Sequence, residues 1–227
     1  MADVVSNEVS ATSEKEKDSS TNWNRLTTAW ALILMGLSTL GSSWCGYQSS
    51  LWNGIQTFHL VDSAKFSRDA SEKAMTAAAQ KNLDAALFVQ YARDFSDNKM
   101  QRADFFLERM RPELQSAVKS WRAMHPITNQ SAPPTPFSMP QYHLKAEADA
   151  DDLSLNANTA HDQAQRANVN SDTYALLTVL HASALFLAGL VSTIDERRAR
   201  LITLVMCVVV FLGATIILLR LPIAKIG

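Results

Sequence analysis

The sequence predicts an all-α fold: three transmembrane helices, with an extracytoplasmic helical bundle or hairpin inserted between the first and second. Three observations predict it. Three long stretches carry no charge, glycine is missing between Gly54 and Gly189, and apolar residues elsewhere recur at helical spacing.

The chain begins with a polar tail. Residues 1–22 are rich in Ser, Thr, Asn, Glu and Lys and have no apolar period. They read as a disordered cytoplasmic tail, because such a segment has too little apolar surface to offset the entropy of ordering. No charge then occurs between Arg25 and Asp62, and residues 26–47 form the first predicted span. None occurs between Asp172 and Asp195, which places the second span at 173–194. The third, 201–221, is charge-free from Leu201 to Leu219. Each reaches the ~20 residues that carry a helix across ~30 Å of hydrocarbon. Three buried core helices of this kind would lack partners in a chain of 227 residues. The first span could instead be a cleaved signal peptide, with Gly41-Ser42-Ser43 as a weak cleavage context. A signal peptide wants a short basic leader, whereas the 25 residues here hold five acids against three bases. An uncleaved anchor fits better.

Orientation follows from positive charge. The short link 195–200 contains Arg197, Arg198 and Arg200. Arginines in a short loop favour the cytoplasmic side. Alternation then puts the N-terminus in the cytoplasm and residues 48–172 outside it. Trp23, Trp30, Trp44, Trp52 and Tyr174 lie near the predicted span ends, where interfacial aromatics belong.

The region between spans one and two reads as helix. Tight turns usually need residues that tolerate positive φ. Glycine is absent there, and five of the seven prolines fall between Pro126 and Pro140. Helices broken by a single Pro-rich loop, 126–140, are therefore expected. Ala103, Leu107, Met110, Leu114, Ala117 and Trp121 step by four and three, a core stripe. Leu83, Leu87, Tyr91 and Phe95 form a second stripe. Ser96-Asp97-Asn98 between them predicts a turn, with Asp97 or Asn98 as an N-cap. Pro112 predicts a kink that leaves the stripe in phase. Ala157, Ala160, Ala164 and Ala167 form a seam that would allow close helix approach. Residues 55–125 carry 11 bases and 9 acids, and residues 141–172 carry 2 and 6, so the third arm is expected to pack on a slightly basic pair.

Composition excludes several functions. With 21 basic and 22 acidic residues, a net charge of −1, nothing neutralises a nucleic-acid backbone. The glycine gap removes phosphate-cradling loops and dinucleotide fingerprints, and no Gly-x-Ser-x-Gly elbow is present. Two cysteines are too few for a disulfide scaffold or a four-cysteine zinc site. Cys45 and Cys207 both fall within spans and read as packing residues.

Three segments carry a resemblance. They are Trp44-Cys45-Gly46-Tyr47-Gln48-Ser49-Ser50-Leu51-Trp52, Pro133-Pro134-Thr135-Pro136-Phe137-Ser138-Met139-Pro140-Gln141-Tyr142, and Arg166-Ala167-Asn168 leading to Asp172-Thr173-Tyr174-Ala175-Leu176-Leu177-Thr178-Val179-Leu180. Together, over roughly residues 25–220, they resemble a group of bacterial multi-spanning membrane proteins with no assigned function. The resemblance implies the cytoplasmic (inner) membrane of a bacterial cell and transfers no catalytic residue.

A few residues invite a chemical reading. Ser38, Ser42, Gly46, Ser50 and Gly54 recur every four residues and form a candidate helix-packing face, although such a stripe drifts by about 40° per step. His181 lies inside span two, on the continuation of the alanine seam. It is either a proton-relay candidate or a neutral histidine bonded within the bundle. Glu147, Asp149, Asp151 and Asp152, with His143 nearby, could bind a cation, but lack the sharp turn that converges calcium ligands. On a helix they read as a solvated face or a charge partner. His161-Asp162 and the scattered His59 and His125 have no zinc-helix spacing.

The expectation is thus a non-enzymatic integral membrane protein with an extracytoplasmic interaction, scaffold or sensing module. The alternative is a subunit of an oligomeric channel or transporter with His181 facing the pathway. Expected partners are the lipid bilayer and either a second copy or another membrane protein, with no nucleic acid. No cofactor, metal or catalytic residue is expected. The mean hydropathy of −0.05 averages greasy spans against a charged helical region.

Overall fold

The structure is a computed structural model and describes residues 23–126 and 128–225. The polar tail read at 1–22 lies outside the described residues. Among the described residues there are five α-helices and one 3-10 turn, with no strand. The helices are α1 (Ala2–Ser96, described from Trp23), α2 (Met100–Arg109), α3 (Pro112–Ala123), α4 (Lys145–Val191) and α5 (Arg197–Leu218), and the turn is Pro136–Ser138. Three helices, α1, α4 and α5, are long and apolar enough to cross a membrane.

The chain divides into two compact units. The first comprises Met1–Phe58 with Gln163–Gly227, and the second comprises His59–Asp162. Residues 48–58 and 163–172, read from the sequence as part of the inserted domain, therefore group with the spans.

Unit 1 packs three helices on two apolar clusters. Leu34, Ala184, Ala188 and Cys207 form one, and Cys45, Tyr174, Leu177 and Ala214 form the other. Small residues at the contact let the backbones come close, so serines reach across. Ser49 Oγ donates to the Ser171 carbonyl at 3.0 Å, and Ser171 Oγ returns a bond to the Ser49 carbonyl at 3.0 Å. The buried residues of α1 run Thr27, Ala31, Leu34, Ser38, Cys45 and Gln48, with half-buried Gly41 filling the gap. These steps alternate four and three, which holds one face toward the partners.

Unit 2 has a continuous core of Phe88, Tyr91, Ala103, Leu107, Met110, Leu114 and Val118. Fully buried residues such as Leu114 and Val118 contribute about 1.5–3 kcal/mol each. The core stripe of α2 and α3 lies where its spacing places it. Of the α1 stripe, Tyr91 lies in the core and Leu87 and Phe95 pack half-buried against it. Leu83 is exposed, and the inward residues are Asp84, Phe88, Tyr91 and Asp94. A strict i+4 series rotates off the face, whereas four-three steps stay on it.

Two local expectations are corrected. Lys99, not Asp97 or Asn98, is the N-cap of α2, and it offers no side-chain bond. Asn98 instead takes the left-handed conformation, φ 56°, that reverses the chain in place of a glycine. At Pro112 the helix breaks outright. Arg111 is extended (φ −61°, ψ 151°) and Pro112 opens α3. The residue before proline avoids the α region, and proline suits a first helical turn, so a new start costs less than a kink. At the end of α3, His125 adopts φ 48° and closes the helix as glycine usually does. Trp121 Nε1 donates to the Pro133 carbonyl at 2.7 Å, which pins the Pro-rich loop to α3.

Candidate functional site: a buried ion pair and the groove beside it

The most constrained polar group of unit 2 is Asp84. Its residue is completely buried, on the inner face of α1. A lone buried carboxylate would be strongly destabilising, so it needs partners. Arg111 supplies them from the break between α2 and α3. Its Nε donates to Oδ1 and Oδ2 at 3.2 and 3.3 Å, and Nη2 donates to Oδ2 at 2.9 Å. Tyr142, just beyond the Pro-rich loop, donates its hydroxyl to Oδ2 at 3.0 Å. One carboxylate thus ties together α1, the α2–α3 junction and the loop exit. Burial, then the bond to Asp84, push the Tyr142 phenol well above its ordinary range. Its bond to Asp84 raises the pKa of Arg111 further, which keeps the guanidinium charged.

This knot sets one wall of an open groove of about 410 Å³, lined by Lys81, Asn82, Ala85, Phe137, Tyr142 and Glu147. The Phe137 and Tyr142 rings meet edge to face with centroids 5.0 Å apart, and Phe137 packs edge-on to Phe88 of the core at 5.5 Å. Opposite charges sit at the rim. Lys81 Nζ lies 2.6 Å from Glu147 Oε1, with both side chains about half exposed. The groove is apolar on its aromatic wall and carries one cation and one anion side by side.

The residues singled out from sequence fall as follows. Of the acidic group, Glu147 pairs with Lys81, while Asp151 and Asp152 are exposed and Asp149 half-buried. His59 is half-buried, and His125, His143 and His161 are exposed. Among the described residues, no three His, Cys, Asp or Glu side chains are grouped as metal ligands. Asp84, Arg111 and Tyr142 were missed. The available signal was a charged residue in four-three register with Phe88 and Tyr91, which demands a buried partner.

In unit 1, His181 is 1% exposed. Its Nδ1 lies 2.8 Å from the Leu177 carbonyl, so Nδ1 carries the proton in the neutral ring. The ring fills the space left by Gly41. A Cβ on Gly41 would lie 2.7 Å from Nε2 and closer still to Cδ2. Phe211 meets the ring edge to face at 5.7 Å. Of the small-residue series, Ser38 is buried and Ser42 donates to the Thr178 carbonyl at 3.4 Å. Gly46, Ser50 and Gly54 are exposed, and a Cβ on either glycine would meet nothing within 4 Å.

The arginines of the short link are not equivalent. Arg197 and Arg198 are exposed, with Arg197 stacked over Trp23 at 4.9 Å. Arg200 is buried. Its Nε donates to the Val191 carbonyl at 2.9 Å and Nη2 donates to Thr28 Oγ1 at 2.9 Å. It satisfies an orphan carbonyl at the end of α4 and joins the start of α5 to α1. At the other end of α5, the Trp52 indole and the Tyr174 hydroxyl both donate to the Pro222 carbonyl at 3.2 Å, and the Ala224 amide donates to Gln48 Oε1 at 2.9 Å. Tyr174 is therefore a buried clasp and not a lipid-facing aromatic.

Comparison with protein-family models, with curated proteins and with solved structures finds no match.

Proposed function

We propose that this chain is a non-enzymatic integral membrane protein whose unit 2 is an extracytoplasmic interaction, scaffold or sensing module. One observation carries the reading. Unit 2 buries an Asp–Arg pair to hold a single loop in place, and that loop walls a groove. Buried ion pairs contribute little net stability against apolar packing, so their value here lies in fixing geometry. Large apolar side chains on the outside of unit 2, among them Phe105, Met75 and Leu155, add surface for a protein partner. The arginines of 195–200 support placing that link in the cytoplasm and unit 2 on the opposite side. The resemblance noted above supports a bacterial inner membrane. The packing of His181 against Gly41 and Phe211 favours a structural histidine over a pathway-lining one.

A photo-crosslinking residue placed at Phe105 or Leu155 of the full chain, in cells, tests the reading. The expected result is discrete protein adducts that a crosslinker at lipid-facing Val209 does not give. Adducts that are the same at all three positions, or absent from unit 2, would overturn it. A membrane-impermeant thiol label on Ser154→Cys, in a Cys45→Ala/Cys207→Ala background, should react from outside the cytoplasm; labelling only after permeabilisation would refute the orientation.

A further inference from the structure

We infer that the unit 2 groove binds a free α-amino acid with an apolar, preferably aromatic, side chain. The inference rests on unit 2 being a sensing module and names what it senses. The geometry at the rim decides the ligand class. Lys81 Nζ and Glu147 Oε1 are 2.6 Å apart, so any ligand there meets both charges at once. A lone anion is repelled by Glu147, and a lone cation by Lys81. A peptide carries its terminal charges on different residues. An α-amino acid carries an ammonium and a carboxylate on one carbon, so one small molecule answers both charges.

The pair is also displaceable. Its side chains are 46% and 48% exposed, and ion pairs so exposed are weakly held. A zwitterion entering between them replaces each contact with an equivalent one: carboxylate on Lys81, ammonium on Glu147. The remaining lining suits the rest of such a molecule. Phe137, Ala85 and the ring of Tyr142 form an apolar wall, and the Asn82 amide offers one donor group and one acceptor. Tyr142 has its proton committed to Asp84, so its oxygen faces further partners as an acceptor only. The volume, about 410 Å³, falls in the range of small-molecule sites. Most of the wall is set before binding. Phe137 is pinned on Phe88 and Tyr142 on the buried Asp84–Arg111 pair, which reduces the ordering a ligand must impose.

Titration calorimetry on the full-length protein in nanodiscs tests this, with L-phenylalanine as the probe. Saturable one-to-one binding is expected. N-acetyl-L-phenylalanine, which lacks the ammonium, and phenethylamine, which lacks the carboxylate, should each bind at least tenfold more weakly. Lys81→Gln and Glu147→Gln should each weaken L-phenylalanine at least tenfold, while Asp151→Asn leaves it unchanged. Thermal unfolding of each variant shows whether it is folded. Binding that survives both rim variants, a blocked analogue that binds as tightly as L-phenylalanine, or no heat with L-phenylalanine or L-leucine would overturn the inference. If the unit 2 crosslinks persist in that last case, the module reading stands and only its ligand falls.

Discussion

Removing the Arg111 guanidinium is the sharpest perturbation of unit 2. Arg111→Ala deletes all three donor contacts to Asp84 and leaves the carboxylate with the Tyr142 hydroxyl alone. Breaking a buried pair from one side costs about 3–5 kcal/mol, because the remaining charge stays desolvated. The Arg111 side chain is itself 27% exposed, so water can follow it into the gap, and the lower end, about 3 kcal/mol, is expected. At 1.36 kcal/mol per decade this is roughly a hundredfold in an opening equilibrium. Hydrogen exchange with mass-spectrometric readout reports that equilibrium segment by segment. Peptides around Phe88 and Tyr91 in α1, and around Leu114 and Val118 in α3, should exchange about a hundredfold faster. Peptides around Ala184 and Cys207 in unit 1 should keep their rates. Replacing the whole knot with apolar residues, Asp84→Leu with Arg111→Met and Tyr142→Phe, should restore most of the protection, since no buried polar group is then left unpaired. An unchanged rate in Arg111→Ala, or a triple variant that is worse than the single one, would refute the assignment of Asp84 as a paired buried charge.

Other outcomes follow from the same contacts. Gly41→Ala should destabilise unit 1 by about 1–3 kcal/mol through overpacking against His181, and His181→Ala should relieve part of that loss. Thermal unfolding followed by a thiol-reactive dye reads it, because Cys45 and Cys207 are both free and buried. Arg200→Lys keeps the charge but cannot bridge Val191 and Thr28, and should cost about 1–3 kcal/mol in the same assay; a loss no larger than for Arg198→Lys would contradict the bonding described. The raised pKa of Tyr142 means that its neutral form stabilises unit 2 fully below the ordinary tyrosine value near 10, and that this contribution is lost as pH rises above it. Phenolate absorbance should therefore show Tyr142 ionising later than an unfolded reference, with Asp84→Asn removing part of the delay; coincident titration would argue against its burial.

The spans were legible because absence of charge over a membrane's thickness has few other causes. The core stripe from Ala103 to Leu114 was legible because its steps alternate, and it continues across the break at Pro112. Along α1 the structure departs from two stripes in part, and their spacing is the reason. Ser38, Ser42, Gly46, Ser50 and Gly54, like Leu83, Leu87, Tyr91 and Phe95, run at constant i+4 spacing, which winds around the helix. Ser38 and Ser42 lie on the seam within unit 1, and in unit 2 the exposed Leu83 gives way to Asp84 while Leu87 and Phe95 pack half-buried beside Tyr91. The Asp84–Arg111–Tyr142 knot joins residues 27 and 58 positions apart. No local period encodes such a pairing, so it emerges only once the chain has folded back on itself. The separate roles of Arg197, Arg198 and Arg200 were hidden for the same reason, since a charge count treats all three alike.

That last distinction bears on how this protein could change its orientation over evolution. Flipping a membrane protein usually takes little more than moving a few loop arginines to the other side. Here Arg197 and Arg198 are exposed, the first resting on Trp23, but Arg200 closes α4 and holds α5 to α1. A lineage that relocated it would weaken the charge signal proposed for this link and unfasten the bundle in the same step. On the orientation proposed above, one residue of the insertion signal is thus also one that the folded bundle requires.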